Sequence, residues 1–210
     1  MQIIESLEWR YACKKFDKER KLSPEQLDLL KKAFNLTATS FGLQPIKLLI
    51  IQGESLKEKL LPLTYYQQQT STCSHLLVIC IETEIDDAYI DEYFDREQEI
   101  RGTSTEIIDK FRQQLQKMFA RKDKETKQKE AIFQAYLALG NLMTVCALEG
   151  IDSCPMEGFL ANKVDELLQL KEKGLRSVLL LPVGYRDKDD FMSKLAKVRK
   201  PLEEVVLELD

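Results

Sequence analysis

The stretch "AIFQAYLALGNLMTVCALEG", Ala131–Gly150, limits what this chain can become more than any other. It has about the length of a membrane-crossing helix and follows the charged run "RKDKETKQKE". Gln134, Asn141 and Thr144 interrupt it, which suits a helix buried in protein better than one facing lipid. Such a helix is apolar on too many sides to be covered by the other elements of one small domain. A second copy of the chain is therefore expected to share its burial, with no membrane as partner.

The rest of the chain divides into elements that could surround that helix. "IIESLEW" reads as a short opening helix, and "LSPEQLDLLKKAFNL" carries a helix start, with Ser23 as N-cap and Pro24 in the first turn. Leu27, Leu30 and Phe34 then share one helical face. "TATSFGLQP" is a loop punctuated by Gly and Pro, and "IKLLIIQG" a strand ended by glycine. A short helix "ESLKEKLLPL" and an irregular polar stretch "TYYQQQTSTCS" follow. "HLLVICIET" has the continuous apolar run of a central strand. From Asp86 to about Met118 the pattern is helical but heavily charged, as in a solvated helix pair leaving the core. "GIDSCPMEGF" is a turn with a short strand, "ANKVDELLQL" a helix, "LRSVLLLPVGY" a third long strand and "LEEVVLELD" a final one. Strands and helices do not alternate strictly, which predicts an α+β fold with a mixed central sheet flanked by helices, a helical excursion near 86–125, and one domain over residues 1–210.

Composition excludes several function classes. The formal net charge of −4 argues against a nucleic-acid binder. Five scattered cysteines form no CxxC pair, and the single histidine, His75, completes no zinc site with them, so no metal is expected. Free thiols suit a reducing compartment, and "MQIIESLEWR" has no basic leader before an apolar run, so the cytoplasm is the expected location. There is no GxG or GxxxxGK[ST] to cradle a nucleotide phosphate and no G-x-S-x-G for acyl transfer. His75 precedes an apolar strand and reads as a strand-edge or core histidine.

Four short pieces carry functional residue types in loops or near the ends: "RYACK", "SFGLQP", "PMEGF" and "KVRKP". In "EWRYACKKFD" an extended backbone puts Arg10, Ala12 and Lys14 on one side and Cys13 and Lys15 on the other. Two cations so placed in an acidic protein could be solvated or could hold an anion. Glu157 is the carboxylate positioned by its backbone, between Pro155 and Gly158.

Taken together, these pieces resemble the nitroreductase family of FMN-dependent NAD(P)H oxidoreductases, most closely its oxygen-insensitive nitroreductase and dihydropteridine-reductase branch. The likeness runs nearly end to end, through "RYACKKFD", "LSPEQLDLLKKAFNLTATSFGLQPIKLLII", "CSHLLVIC", "GIDSCPMEGF" and "LLLPVGYRDKDDF…LAKVRKP". It implies an α+β homodimer with two FMN sites at the subunit interface and NAD(P)H as co-substrate. It further implies ping-pong hydride transfer through the flavin to nitroaromatics, quinones or similar electron-poor small molecules. By the same resemblance Arg10, Lys197 and Arg199 hold the flavin phosphate, a task suited to the arginine fork. Lys14 would face the N1/C2=O edge and stabilise the charge of the reduced ring. Pro155, Met156, Glu157 and Gly158 would approach the N5/C4=O side, with Glu157 acting mainly through its main-chain N–H. Lys14 and Glu157 are the implied catalytic residues. Ala38, Thr39, Ser40, Gly42 and Leu43 would come from the other subunit.

The chain departs from the family pattern at four places. Ala12 stands where Ser or Thr is usual, Tyr11 where His or Arg is common, and Ile46 where many relatives have an aromatic residue. The Asn expected before "CSH" is replaced by "YYQQQ", leaving its contacts to Tyr66, Gln67 or Gln69. These changes bear on substrate choice and leave a second reading open, a flavin-sequestering dimer without turnover. Dehalogenase or flavin-destroying chemistry, which some relatives perform, is a third.

Overall fold

A computed structural model describes residues 2–209. The chain begins with α1 (Ile3–Trp9) and then α2 (Pro24–Asn35), where the expected N-cap Ser23 forms a capping box: Gln26 N–H donates to Ser23 Oγ and Ser23 N–H to Gln26 Oε1. Strand β1 (Ile46–Ile51), α3 (Glu54–Leu60) and α4 (Gln69–Thr72) lead to β2 (His75–Glu82). The excursion is a pair of helices, α5 (Asp87–Arg101) and α6 (Thr105–Ala120), and the long helix is α7 (Lys124–Leu148). Strand β3 (Asp152–Ser153), α8 (Ala161–Leu167), β4 (Leu175–Gly184) and α9 (Leu202–Val205) complete the order.

The sheet runs β1-β2-β4-β3. All three of its strand pairings are antiparallel, with Ile46 opposite Ile81, His75 opposite Val183 and Asp152 opposite Gly184. The expected mixed sheet is thereby corrected: among the described residues, parallel pairing is confined to one bridge, Ala12 to Ser153. Side chains of β2 alternate between two cores, as the period of a strand requires. Leu77, Ile79 and Ile81 face Ala135, Ala138 and Leu142 of α7, whereas Leu76, Val78 and Cys80 face Leu60, Val164 and Phe16. The fold is α+β, as the element order implied.

Four other expectations change. The long helix starts at Lys124, because Asp123 caps it through the Thr126 N–H at 2.8 Å, so much of the charged run is helical. Within the polar stretch, Gln69–Thr72 is helical. The segment expected as a final strand instead holds the short α9 and has no strand pairing among its described residues; Asp210 lies outside them. The excursion is more than a solvated pair, since Ile90, Phe94, Ile108, Leu115 and Phe119 join the core. His75 is buried, with Nδ1 2.9 Å from Ser74 Oγ, as a core histidine. All five cysteines are free and buried.

Candidate active site

Arg10 leaves the end of α1 and Lys197 and Arg199 lie near the C-terminus, yet all three line one groove of about 550 Å³. Trp9, Tyr11, Ala12 and Arg186 line it too. Lys197 Nζ donates to the Arg10 carbonyl. Burial, and then the nearby Arg199, push the Arg10 guanidinium below its ordinary pKa. Lys197 is lowered by burial, Arg10 and Arg199. Arg10 Nε is buried without a hydrogen-bond partner. Converging cations that repel one another, with a buried donor left over, fit a dianionic phosphate. The phosphate end of FMN therefore suits the residues present.

Two features that the sequence reading passed over fix this groove. Asp190 is buried and accepts from the backbone N–H of Lys14 at 2.8 Å and of Lys15 at 3.3 Å, and from Tyr11 Oη at 3.2 Å. Its other oxygen accepts from the Met192 N–H at 3.1 Å. One carboxylate thus ties the "RYACK" segment to the chain leading into Lys197. Arg186 is the second. Its guanidinium stacks over Trp9 at 4.3 Å and Tyr11 at 4.6 Å, while Nε reaches Asp152 Oδ1 at 2.9 Å. In "YRDKDDF" nothing in the residue types separates Asp190 from Asp187 or Asp189, which pair with Lys15 at the surface.

Burial pushes the Asp190 carboxyl up, but the Lys14, Cys13, Met192 and Lys15 donors outweigh it and hold the pKa below the ordinary value. Its stabilising effect is therefore complete above the unfolded carboxylate range near ~3.9 and is lost as pH falls through the folded value. Asp190→Asn turns an NH₂ toward these donors and is expected to cost about 2–3 kcal/mol at neutral pH, read by urea denaturation. The difference from the parent should shrink as pH drops below about 4.

Lys14 Nζ points to Cys154 Sγ at 3.5 Å, beside the start of the Pro155–Gly158 turn. Gln67 Nε2 donates to the Gly158 carbonyl at 2.8 Å, and Gln69 Nε2 to Gln67 Oε1 at 3.0 Å. The "QQQ" stretch and the PMEG turn are therefore in contact. Met156 exchanges backbone hydrogen bonds with Leu180 at 2.9 and 3.0 Å, which anchors the turn on β4. Glu157 and Gly158 are exposed, and the Tyr136 phenol is raised chiefly by its hydrogen bond to Glu157. Tyr66 is exposed at φ 57° and makes no side-chain contact with this turn among the described hydrogen bonds.

The alternation expected of the first motif holds only in part. Cys13 enters the core, but Lys15 pairs at the surface with Asp187 at 3.3 Å, because the chain bends after Lys14. None of Ala38, Thr39, Ser40, Gly42 or Leu43 lines the Arg10 groove; their loop packs on α7 and α5.

The model of the Nitroreductase family matches residues 7–185. The oxygen-insensitive NAD(P)H nitroreductase of Salmonella typhimurium is 29% identical over 217 residues, covering 100% of both chains. That of Enterobacter cloacae is also 29% identical, over 99% of this chain and 100% of its own. Among solved structures, a nitroreductase-type protein of Exiguobacterium sibiricum in complex with FMN superposes with a TM-score of 0.85 at 22% identity, over 100% of this chain and 98% of its own. An NADPH:FMN oxidoreductase of Vibrio harveyi complexed with NAD+ gives 0.71 at 18% identity, over 99% and 77%. The match spans most of the chain and takes in the motif segments up to Tyr185: the chain belongs to the nitroreductase family.

Proposed function

We propose that this chain is an FMN-dependent oxidoreductase, one domain over residues 1–210, that passes hydride equivalents from NAD(P)H to electron-poor acceptors such as nitroaromatics or quinones in alternating half-reactions. One observation carries the reading: Arg10, Lys197 and Arg199 converge on a single groove from the two ends of the chain, with Arg10 Nε buried and unpartnered. Names of relatives as NAD(P)H nitroreductases and the FMN bound by a structural neighbour support it. FMN, when bound, supplies the hydride-accepting centre. The chain supplies the rest: Arg10, Lys197 and Arg199 bind the phosphate, and Lys14 offers positive charge beside the turn of Pro155 and Gly158. Glu157 contributes its main-chain N–H, and Gln67, backed by Gln69, borders the same turn. The five buried thiols suit a reducing compartment, and we place the activity in the cytoplasm.

The reading includes a homodimer with the sites at the interface. Phe133 and Leu137 on α7 are 58% and 60% exposed, and Ile3, Ile4 and Leu7 on α1 are also bare. Leu207 and Leu209 in the tail are 83% and 94% exposed. Such surface on one chain is what a second copy covers. Strand β1 is an edge, and the groove beside it carries Lys31, Lys47 and Arg96 over Phe34 and Leu48. A tail with Glu203, Glu204 and Glu208 complements that rim, so the segment read from sequence as a strand finds its pairing on the other subunit.

The purified protein should be yellow, bleach with NAD(P)H in the absence of oxygen, and recolour with a quinone. A protein that binds FMN yet oxidises no NAD(P)H indicates the sequestering dimer instead. Lys14→Met should make the flavin potential more negative by roughly 30 mV or more, since the loss of one nearby charge is worth about 1–2 kcal/mol. Spectroelectrochemical titration reads this, and an unchanged potential removes Lys14 from its assigned role.

A further inference from the structure

The loop that packs on α7 and α5 is strained. Phe41, Gly42 and Gln44 all sit at positive φ, 56°, 74° and 49°, and two of them are not glycine. Thr37 and Leu43 anchor the loop in the core, but Ala38, Ser40, Phe41 and Gly42 between them are exposed, so burial does not hold the strained middle. An exposed loop relaxes out of such a conformation unless its surroundings over-determine it, and strain of this kind collects where a ligand is met.

Three side chains supply the constraint. Gln134 Oε1 accepts the Ser40 N–H at 3.0 Å, and its Nε2 donates to the Glu130 carbonyl at 3.3 Å. Two turns further along the same face, Asn141 Nδ2 donates to the Ala33 carbonyl at 2.8 Å and to Thr37 Oγ1 at 3.0 Å. From the opposite side, the single O–H of Tyr89 on α5 is shared between the Leu43 and Gln44 carbonyls, 3.0 and 2.9 Å from Oη. Tyr93, one turn on, lies so close that a Cβ on Gly42 would be 2.9 Å from its hydroxyl oxygen. Two of the polar residues that interrupt the apolar helix thus hold the start and the middle of the loop, at Thr37 and Ser40, and Tyr89 holds its end. The third, Thr144, bonds only within its own helix, to the Gly140 carbonyl at 3.0 Å.

We propose that Gln134 and Asn141 of α7, opposed by Tyr89 of α5, are positioning residues that hold the Thr37–Gln44 loop in the form in which it meets the flavin of the partner subunit. This rests on the flavin reading and on the assignment of Ala38–Leu43 to that contact. None of the three side chains needs to touch the flavin.

The test uses the full-length dimer and FMN itself. Gln134→Met keeps the size of the side chain and removes the acceptor, leaving the Ser40 N–H unpaired. Its Kd for FMN, read by flavin fluorescence, should rise about tenfold, and the visible circular dichroism of the bound flavin should change. Gln134→Glu restores an acceptor and should recover most of the affinity. Asn141→Asp, which cannot donate to the Ala33 carbonyl, should reproduce the loss, while Thr144→Val should match the parent. A Gln134→Met protein with parental Kd and dichroism overturns the proposal and leaves the flavin reading standing, as does a lower Tm with both unchanged. A parent chain that takes up no FMN removes both.

Discussion

Replacing Arg10 and Arg199 together by alanine is expected to yield a folded, colourless protein. A hydrogen bond to a charged group contributes about 1.5–3 kcal/mol, so losing two cations should weaken FMN binding by roughly 10² to 10⁴-fold. At micromolar concentration the flavin then leaves on a sizing column. The flavin-free fold should not suffer. Arg10 sits half-buried with an unpartnered Nε and against a like charge from Arg199, so its removal relieves a cost. The Tm of the flavin-free double variant should therefore equal or exceed that of the flavin-free parent. Tight flavin retention would remove both residues from the phosphate; a collapsed fold would mean they are structural. Equilibrium dialysis and thermal denaturation separate these outcomes.

The second large effect concerns α7. Leu137→Arg places a charge beside Phe133, one turn away on the exposed apolar face of that helix. If a second subunit covers it, the buried unpaired charge costs about 3–5 kcal/mol, which weakens the dimer by roughly 10² to 10⁴-fold. Sedimentation should then find monomer at micromolar concentration. FMN should be lost with the dimer, because the Ala38–Leu43 loop stands apart from the Arg10 groove within one chain. The variant chain itself should stay folded, since Leu137 is 60% exposed and contributes little to its own core. A flavin-bound variant that sediments as the parent does contradicts this placement of the interface.

Much of the architecture was legible because it obeys local rules. Strands β2 and β4 are continuous apolar runs, and a run of that kind has few other uses than an inner strand. Ser23 with Gln26 is a helix start readable from four residues. What escaped the reading depends on contacts that period and propensity do not encode. The charged turn after Asp123 reads as solvated and is also helical, because a cap and solvent-facing charges are compatible. The tail alternates like a strand but lacks a pairing edge in its own chain. Tyr66, with the right residue type, stays apart from the turn that its neighbour Gln67 reaches with Gln69 behind it. Asp190 and Arg186 act through tertiary bonds from residues far off in sequence, so their chemistry was invisible beside similar charges. Arg10, Lys197 and Arg199, by contrast, lie in motifs that the sequence shows, and the fold brings all three to one groove.

The central claim is that a cationic groove at the meeting of the chain ends takes a phosphate. Comparing the affinities of the flavin-free protein for FMN and for riboflavin, which differ only in that phosphate, tests it most directly. The groove predicts that FMN binds at least about a hundredfold more tightly at low salt, with the gap narrowing as ionic strength rises. Equal affinities for the two flavins would contradict it.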